Sequence, residues 1–283
     1  MKLGLWTFIR LGGRTSIADA DLYILGAWTP AYNSLLEDLH QAGKRIGVLW
    51  TSSSGEIGFE GVEADYLAGI LRDPRISFVW FGHKPLALAF PQKGWYAPYP
   101  FAIPDPLEPP AERHSYMTLF CPEGPKKNTL NQLLAALLVQ RQFPSLSLET
   151  NVAVPPLLRE AGLLFKQHGW LKPDAYREMI RHSRLNFACS WAETLHYQSL
   201  EAAVYYGVPS IGSPAIPWLP DEAMTNPNRP DHIAAVGALV LYPRDPKRNV
   251  GELHRLGGQF WAQKANKALK AQLEVVGMNT PKT

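Results

Sequence analysis

Short apolar runs alternate with longer amphipathic stretches along the whole chain. Runs bounded by turn residues predict strands, and apolar residues three or four positions apart predict helices. In the first half, this pattern predicts strands at 3–9, 22–27, 45–51, 76–81 and 95–97, and helices at 31–42 and 60–72. Gly43 and Pro74 close the two helices.

The same alternation of apolar runs and amphipathic stretches continues in the second half. The predicted strands are at 115–121, 145–152, 185–188, 210–212 and 236–242, and the predicted helices at 128–141, 155–167, 174–182 and 251–275. Residues 216–232 are rich in proline and asparagine and predict a loop. Because strands alternate with helices throughout, the fold class is α/β with parallel sheets and crossover helices.

One segment, 98–112, contains six prolines and predicts a linker between domains. We therefore expect a first domain at 1–112, a second at 113–250, and a terminal helical segment at 251–283. Both domains are Rossmann-like in plan. Two such domains facing a cleft bind ligands at the carboxyl ends of their strands.

The most informative pattern lies at 183–214. The strand at 185–188 ends in a small polar turn, where a helix carrying Glu193 and Glu201 is predicted to start. A strand that feeds a helix N-terminus is suited to hold a phosphate. The spacing places both glutamates near one side of the helix, where they either bind ligand hydroxyls or form a solvated face. A phosphate beside hydroxyl-binding carboxylates suggests a nucleotide-sugar.

Composition narrows the class of protein. A hydrophobic content of 46% and a charged content of 19% describe an ordinary globular protein. The net charge of +3 suits an anionic ligand and is too mild to indicate a nucleic-acid binder. Cys121 and Cys189 end apolar runs and are interpreted as two buried, reduced thiols. No grouping of cysteine and histidine has zinc-like spacing, so no metal is expected.

Targeting and membrane signals are weak. The apolar run at 3–9 is short for a signal peptide and is interpreted as a first strand. No apolar stretch is long enough to predict a transmembrane segment. These features predict a cytoplasmic protein.

Residues 169–214 resemble the C-terminal domain of retaining glycosyltransferases with the GT-B fold. The family includes sucrose synthases and bacterial mannosyl- and glucosyltransferases of the group 1, or family 4-like, type. The matching residues are GWLKPDAYREMIRHSRLNFACSWAETLHYQSLEAAVYYGVPSIGS, which carry a Glu-x7-Glu pair, Glu-Ala-Ala and Gly-Val-Pro in register. The resemblance covers roughly 115–245 and is weak in the N-terminal half, which implies a GT-B protein with a reduced N-terminal domain.

The resemblance implies separate roles for the two glutamates. Glu201 is expected to bind the ribose hydroxyls of the nucleotide, and Glu193 to face the donor sugar and the reaction centre. It also implies a basic pair in the loop CPEGPKKN, in which Lys127 takes the lysine role beside Lys126. The family's arginine is absent there. The remaining implied donor contacts are the backbone around Thr194, Leu195 and His196, and Trp170 and Leu171 near the base.

Four further cleft residues are expected from the N-terminal half. Gly12 and Gly13 match the family's Gly-Gly loop, although its usual long helix is missing. Ser52 and His83 follow predicted strands, where they either line the cleft or are incidental loop residues. The Asp-x-Asp at Asp19 resembles the metal-binding motif of another glycosyltransferase fold and is interpreted here as a loop cap.

The resemblance implies a retaining, metal-independent glycosyltransferase that needs no cofactor and uses a nucleotide-diphosphate sugar as donor. The acceptor stays open among glycans, lipids, proteins and modified nucleic acids. Two alternatives remain: a nucleotide-sugar epimerase or hydrolase on the same fold, and a non-catalytic nucleotide-sugar-binding relative. The last helix is expected to pack back across the N-terminal domain and to act in opening and closing.

Overall fold

A computed structural model describes residues 22–26, 33–53, 55, 57, 61–103, 112–122, 124–193, 195–243 and 249–275. The chain divides into two compact units, Met1–Ala102 with Ala262–Thr283, and Ile103–Trp261. The predicted strand at 3–9, the glycine pair at 12–13 and Thr194 lie outside the described residues.

The first unit contains a parallel sheet. Its described elements are β1 (Leu22–Gly26), α1 (Asn33–Gln41), β2 (Arg45–Trp50), α2 (Gly61–Arg72), β3 (Phe78–Phe81), α3 (Lys84–Ala89) and β4 (Gly94–Tyr96). The sheet order is β1-β2-β3-β4, and every pair is parallel. The strands and two helices predicted within these residues are confirmed to within about two residues at each end, and α3 was not predicted.

Both faces of this sheet are covered. On β3, Val79 and Phe81 pack in a cluster with the helix residue Leu36, whereas Phe78 and Trp80 pack on the other face. Alternate residues of a strand point to opposite faces, so a continuously apolar strand is buried on both sides.

The last helix, α9 (Val250–Val275), supplies part of the cover for the second face. Leu269 is fully buried with Phe78 and Trp80. The Asn266 carboxamide donates to the Phe101 carbonyl at 2.7 Å and accepts from its N–H at 3.0 Å. Residues from Ala262 onward thus belong to the first unit, and the earlier part of α9 belongs to the second.

The second unit has a five-stranded sheet. Its elements are β5 (Tyr116–Leu119), α4 (Thr129–Gln142), β6 (Ser147–Thr150), α5 (Pro156–Glu160), β7 (Phe165–Gln167), α6 (Pro173–His182), β8 (Leu185–Ala188), α7 (Tyr197–Tyr206), β9 (Ser210–Gly212), α8 (Pro230–Leu241) and the start of α9. The strand order is β7-β6-β5-β8-β9, all parallel. The chain extends the sheet to one side of β5 and then returns to its other side, so the direction of winding reverses between β5 and β8.

The predicted single helix at 155–167 is wrong. Helix α5 ends at Glu160, and Gly162 turns the chain with a φ of 89° before β7 begins. Leu163 N–H donates back to the Leu158 carbonyl, which closes the helix end. The amphipathic spacing continued past this turn, and only the pairing of β7 with β6 decides that the later residues are extended.

The predicted strand at 236–242 is also wrong, because residues 236–241 belong to α8 and Tyr242 directly follows it. Pro230 occupies the first turn of that helix, a position that proline favours. Ile233, Val236, Gly237 and Val240 are buried at helical spacing. A short apolar run shows no clear periodicity, so the sequence of the run alone does not distinguish a strand from a helix. Here the helix that begins at Pro230 continues through it.

Candidate functional site

The candidate site lies at the carboxyl edge of the second sheet, where the winding reverses between β5 and β8. The loop after β5 carries Lys126 and Lys127, and the loop after β8 carries Glu193. In open α/β sheets this reversal point is where ligands bind, because loops of opposite winding diverge there and leave a crevice.

Lys127 and Glu193 meet directly. The Lys127 Nζ donates a hydrogen bond to Glu193 Oε1, and both side chains are about nine-tenths buried. Lys127 ends a single 3-10 turn, Pro125–Lys127, and Asn128 then adopts a left-handed conformation with a φ of 53°. A buried charge needs an opposite charge nearby, so this pair ties the two loops together.

A glutamine that the sequence interpretation missed forms hydrogen bonds to both of these loops. Gln132 on α4 donates to the Lys127 carbonyl at 2.7 Å and accepts from Cys189 N–H at 2.8 Å. Asn128 adds a donated bond to the Cys189 carbonyl at 2.9 Å. Gln132 and Gln140 are the two glutamines among the buried residues of α4, and a polar residue within a mainly apolar helix is the signal that could have identified Gln132.

Further hydrogen bonds join the loop after β5 to the loop after β8, and both loops to residues 227–228. Trp191 N–H donates to the Lys126 carbonyl at 2.9 Å. The Trp191 ring nitrogen donates to Asn228 Oδ1 at 3.0 Å, and Asn128 reaches the Pro227 carbonyl at 2.6 Å. Lys126 itself is half-buried.

The prediction that one helix carries both glutamates is wrong. Helix α7 begins at Tyr197, so Glu193 lies in the preceding turn and only Glu201 is helical. His196 prevents α7 from extending back to Glu193, because it adopts a left-handed conformation with a φ of 55°. Its Nδ1 accepts from Ser199 N–H at 3.2 Å, which caps the first turn of α7.

Charge in this turn favours an ionised Glu193 beside a neutral His196. Burial opposes ionisation of Glu193. Attraction to the His196 ring when that ring is protonated, the charge of Lys127, and hydrogen bonds from Lys127 and Ser190 together outweigh burial and lower the pKa of Glu193. Burial lowers the pKa of His196, against the attraction of Glu193. Since Nδ1 accepts a hydrogen bond, the neutral ring carries its proton on Nε2. Lys127 is therefore the cation that balances Glu193 near neutral pH.

Glu201 lies on α7 in a different environment. Burial raises the pKa of Glu201 to about 7, and Arg177 opposes this rise. Its carboxylate makes no hydrogen bond or ion pair with another described residue. The same carboxylate adds to the raised pKa of Tyr176 and Tyr197, for which burial is the larger cause. Glu201 thus combines a desolvated carboxyl with unused acceptor capacity.

The other predicted donor residues vary in exposure. Leu195 is buried at the turn, whereas Trp170 is 85% exposed in the loop after β7. Leu171 is half-buried against the cluster of Phe120 and Ile180. Thr194 is outside the described residues, so its predicted role stays a prediction.

Two of the four predicted cleft residues are described, and both lie in the first unit. Ser52 follows β2, and His83 follows β3 as the residue before α3. Because β2 and β3 are parallel neighbours, these residues share the carboxyl edge of the first sheet. Gly12 and Gly13 fall outside the described residues, as does the loop cap expected at Asp19.

Cys121 and Cys189 are free and buried, as predicted. Within the described ranges, no three His, Cys, Asp or Glu side chains group as a metal-ion site. In the same ranges, no helix has both the length and the apolar character needed to cross a bilayer.

The parallel sheets of the two units give the chain the α/β fold of the GT-B glycosyltransferases. Trehalose-6-phosphate synthase OtsA superimposes with a TM-score of 0.65 at 10% identity, over 99% of this chain and 76% of that one. The UDP-forming α,α-trehalose-phosphate synthase of Burkholderia xenovorans in complex with glucose-6-phosphate gives 0.64 at 11% identity, over 98% and 77%.

A third similar structure is the pneumococcal O-GlcNAc transferase GtfA in complex with UDP and GlcNAc. It gives a TM-score of 0.58 at 14% identity, over 91% of this chain and 57% of that one. No family model and no curated protein sequence matches the chain. At these identities, the likeness to solved structures establishes the fold.

Proposed function

We propose that the chain is a retaining, metal-independent glycosyltransferase that moves a sugar from a nucleotide-diphosphate donor to an acceptor. The observation that carries this proposal is the buried contact between Lys127 and Glu193 at the reversal point of the second sheet. It places a cation and a carboxylate side by side where an α/β sheet binds its ligand.

The two side chains suit the two parts of a nucleotide-sugar. An ammonium group has three N–H donors, so Lys127 retains donors for a diphosphate while one remains on Glu193. The ionised Glu193 accepts hydrogen bonds from sugar hydroxyls. The N-terminus of α7 and Lys126 add positive potential on the same edge of the sheet.

The chemical demand of such a transfer is charge on the departing diphosphate. A preorganised cation and helix amides stabilise that charge as the bond to the anomeric carbon breaks, and loss of one such contact costs about 3 kcal/mol in the barrier. In this proposal Lys127 and Lys126 replace a metal ion. The departing phosphate accepts the acceptor's proton, and the new bond forms on the face that the diphosphate leaves, which retains the anomeric configuration.

The solved relatives agree with a nucleotide-sugar ligand. One similar structure is named as UDP-forming, and another holds UDP and GlcNAc. Glu201 is the proposed ribose-binding residue, because it is desolvated and has no described partner. The two buried free thiols suit a reducing compartment, and the proposed location is the cytoplasm.

Ligand-induced thermal stabilisation tests donor binding. UDP, GDP and ADP are each added at saturation, and one of them is expected to raise the melting temperature by about 5 to 10 °C. Glu201→Ala is expected to abolish that rise, measured against the variant's own ligand-free melting temperature. Glu178→Ala, which removes an exposed glutamate of the same unit, is the matched control and keeps the rise.

Absence of stabilisation by any nucleotide would overturn the proposal. Product analysis then separates the remaining classes. Donor consumption that requires an acceptor supports a transferase, whereas donor consumed alone indicates an epimerase or hydrolase. Saturable nucleotide binding without turnover for any acceptor indicates a binding protein.

A further inference from the structure

A cavity of about 280 Å³ opens at the amino edge of the second sheet, the edge opposite to the candidate site. Three loops bring residues to it. Arg113 comes shortly before β5, Arg184 directly precedes β8, and Pro209 directly precedes β9. The length of β8 separates this edge from the carboxyl edge by on the order of 15 Å.

Three arginines line this cavity, Arg113, Arg184 and Arg255, and Glu252 is the one acidic residue in its described lining. Arg255 is close enough to Arg113 that its charge adds to the effect of burial in lowering the pKa of Arg113. Like charges gathered in a partly buried cavity repel one another unless an anion joins them.

Only one of the three arginines has its role explained by the fold. Arg113 donates to the carbonyls of Arg181 and Tyr206, at the C-terminal ends of α6 and α7. This bonding satisfies helix carbonyls that have no partner within their own helices. Arg113 is therefore a capping residue that also contributes charge.

Arg184 and Arg255 have donors left over. The Arg184 guanidinium lies over the Tyr242 ring at 5.4 Å, a contact that uses its face and leaves its N–H groups in plane. The Arg255 side chain is only 11% exposed, and its Nε lies 3.5 Å from Glu252 Oε2, an ion pair without a hydrogen bond. The Glu252 side chain is 44% exposed, so its carboxylate is largely solvated.

The start of α9 adds donors to the same cavity. Asn249 caps this helix by accepting from Glu252 N–H at 3.0 Å, and both Asn249 and Gly251 line the cavity. The first amides of a long helix and its positive dipole end favour an anion. They supplement the guanidinium groups, which provide the main attraction.

We propose that this cavity binds a phosphate group, either inorganic phosphate or a small phosphate monoester, between Arg184 and Arg255. Guanidinium groups match phosphate oxygens with paired donors, and the cavity has room for a phosphate with a small organic substituent. The site is separate from Lys127 and Glu193 and does not depend on the proposed transferase activity.

Calorimetric titration of the full chain with inorganic phosphate, and separately with glycerol 3-phosphate, tests the proposal at constant ionic strength. Saturable binding is expected for the unaltered protein. Arg255→Gln and Arg184→Gln are each expected to weaken it about tenfold or more, the loss of one charge-assisted bidentate contact. Arg141→Gln removes an exposed arginine of the same unit and is the matched control.

Lys127→Ala distinguishes phosphate binding in the cavity from phosphate binding at the candidate site on the opposite edge of the sheet. Retained phosphate binding in this variant, with loss in the two cavity variants, supports the proposal. Binding that is lost in Lys127→Ala and kept in Arg255→Gln overturns it, as does the absence of saturable binding by both probes. If Arg255→Gln does not fold, Arg184→Gln decides alone. The probe that binds more tightly identifies the source of the phosphate.

Discussion

The ammonium group of Lys127 lies against the carboxylate of Glu193, 66 residues further along the chain. Each residue sits in a loop that follows a strand, and the two strands are neighbours in the sheet. This contact joins the two loops of the candidate site, and each buried charge compensates the other.

Breaking this pair is expected to destabilise the protein. Lys127→Met leaves a buried carboxylate without its cation, and we expect a loss of about 3 kcal/mol in the free energy of unfolding at pH 7. Lys166→Met, at an exposed lysine of β7, is expected to change it by less than about 0.5 kcal/mol. Urea denaturation of the three proteins measures the difference.

The double variant Lys127→Met, Glu193→Gln removes both charges and is expected to lose less stability than the two single variants added together. Additive losses would show that the two side chains do not interact. The pKa of Glu193 is lowered in the folded state, so its contribution is present above the unfolded pKa and is lost as pH falls through the folded pKa. The effect of Lys127→Met should therefore shrink under acid conditions.

Gln132 offers a test of how the two loops are positioned. Gln132→Leu removes the bonds to the Lys127 carbonyl and Cys189 N–H and leaves both groups buried, which is expected to cost about 1 to 3 kcal/mol in stability. It is also expected to weaken nucleotide binding, because the loops that hold Lys127 and Glu193 are released from each other. Calorimetric titration with the stabilising nucleotide measures this loss.

Gln140 on the same helix is a matched control. Its carboxamide donates to the Leu164 carbonyl at 2.6 Å and accepts from Leu164 N–H at 3.0 Å. These bonds are of the same kind as those of Gln132 but lie away from the candidate site. Gln140→Leu should cost similar stability and leave nucleotide affinity unchanged. Equal loss of affinity in the two variants would mean that general destabilisation, and not loop position, is responsible.

Glu201 predicts an unusual pH dependence. Its pKa is raised to about 7 in the folded state, so between about 4.5 and 7 the folded protein binds more protons at this site than the unfolded chain. Stability from this group therefore falls as pH rises across that window. Glu201→Gln, which resembles the protonated form, is expected to stabilise the ligand-free protein by about 1 to 3 kcal/mol at pH 8 and to have little effect near pH 4.

Denaturation of the wild type and Glu201→Gln at both pH values checks this expectation. A variant that is less stable than the wild type at pH 8 would mean that the carboxylate is well paired in the folded state. The wild type should also bind nucleotide more tightly as pH rises through 7, because the ionised carboxylate is the better acceptor for ribose hydroxyls.

The two thiols are expected to be unreactive in the folded protein. Burial raises the pKa of Cys121 to about 11 and that of Cys189 to about 12, so almost no thiolate is present near pH 8. Alkylation with iodoacetamide, followed by mass spectrometry, should modify neither residue in buffer and both in denaturant. Rapid labelling of Cys121 in buffer would show that the loop after β5 opens.

The alternation of elements and the position of the candidate site could be predicted from sequence. The strand at 185–188, the turn after it and the two glutamates are close in sequence, so local signals predict their order along the chain but not that Glu193 precedes α7. Lys127 was assigned by the family resemblance, and the structure brings it to Glu193 by sheet pairing. Gln132 was missed because its importance comes from two loops that only β5 and β8 bring together.

Sequence alone thus determined the α/β class and the order of most elements, because periodicity and turn residues act over a few positions. The tertiary structure decided what local signals leave open. It made 165–167 a strand by pairing it with β6, made 236–241 part of a helix, and placed Glu193 before α7 rather than in it. It also gathered three arginines at one cavity, since only packing brings positions so distant in sequence into contact.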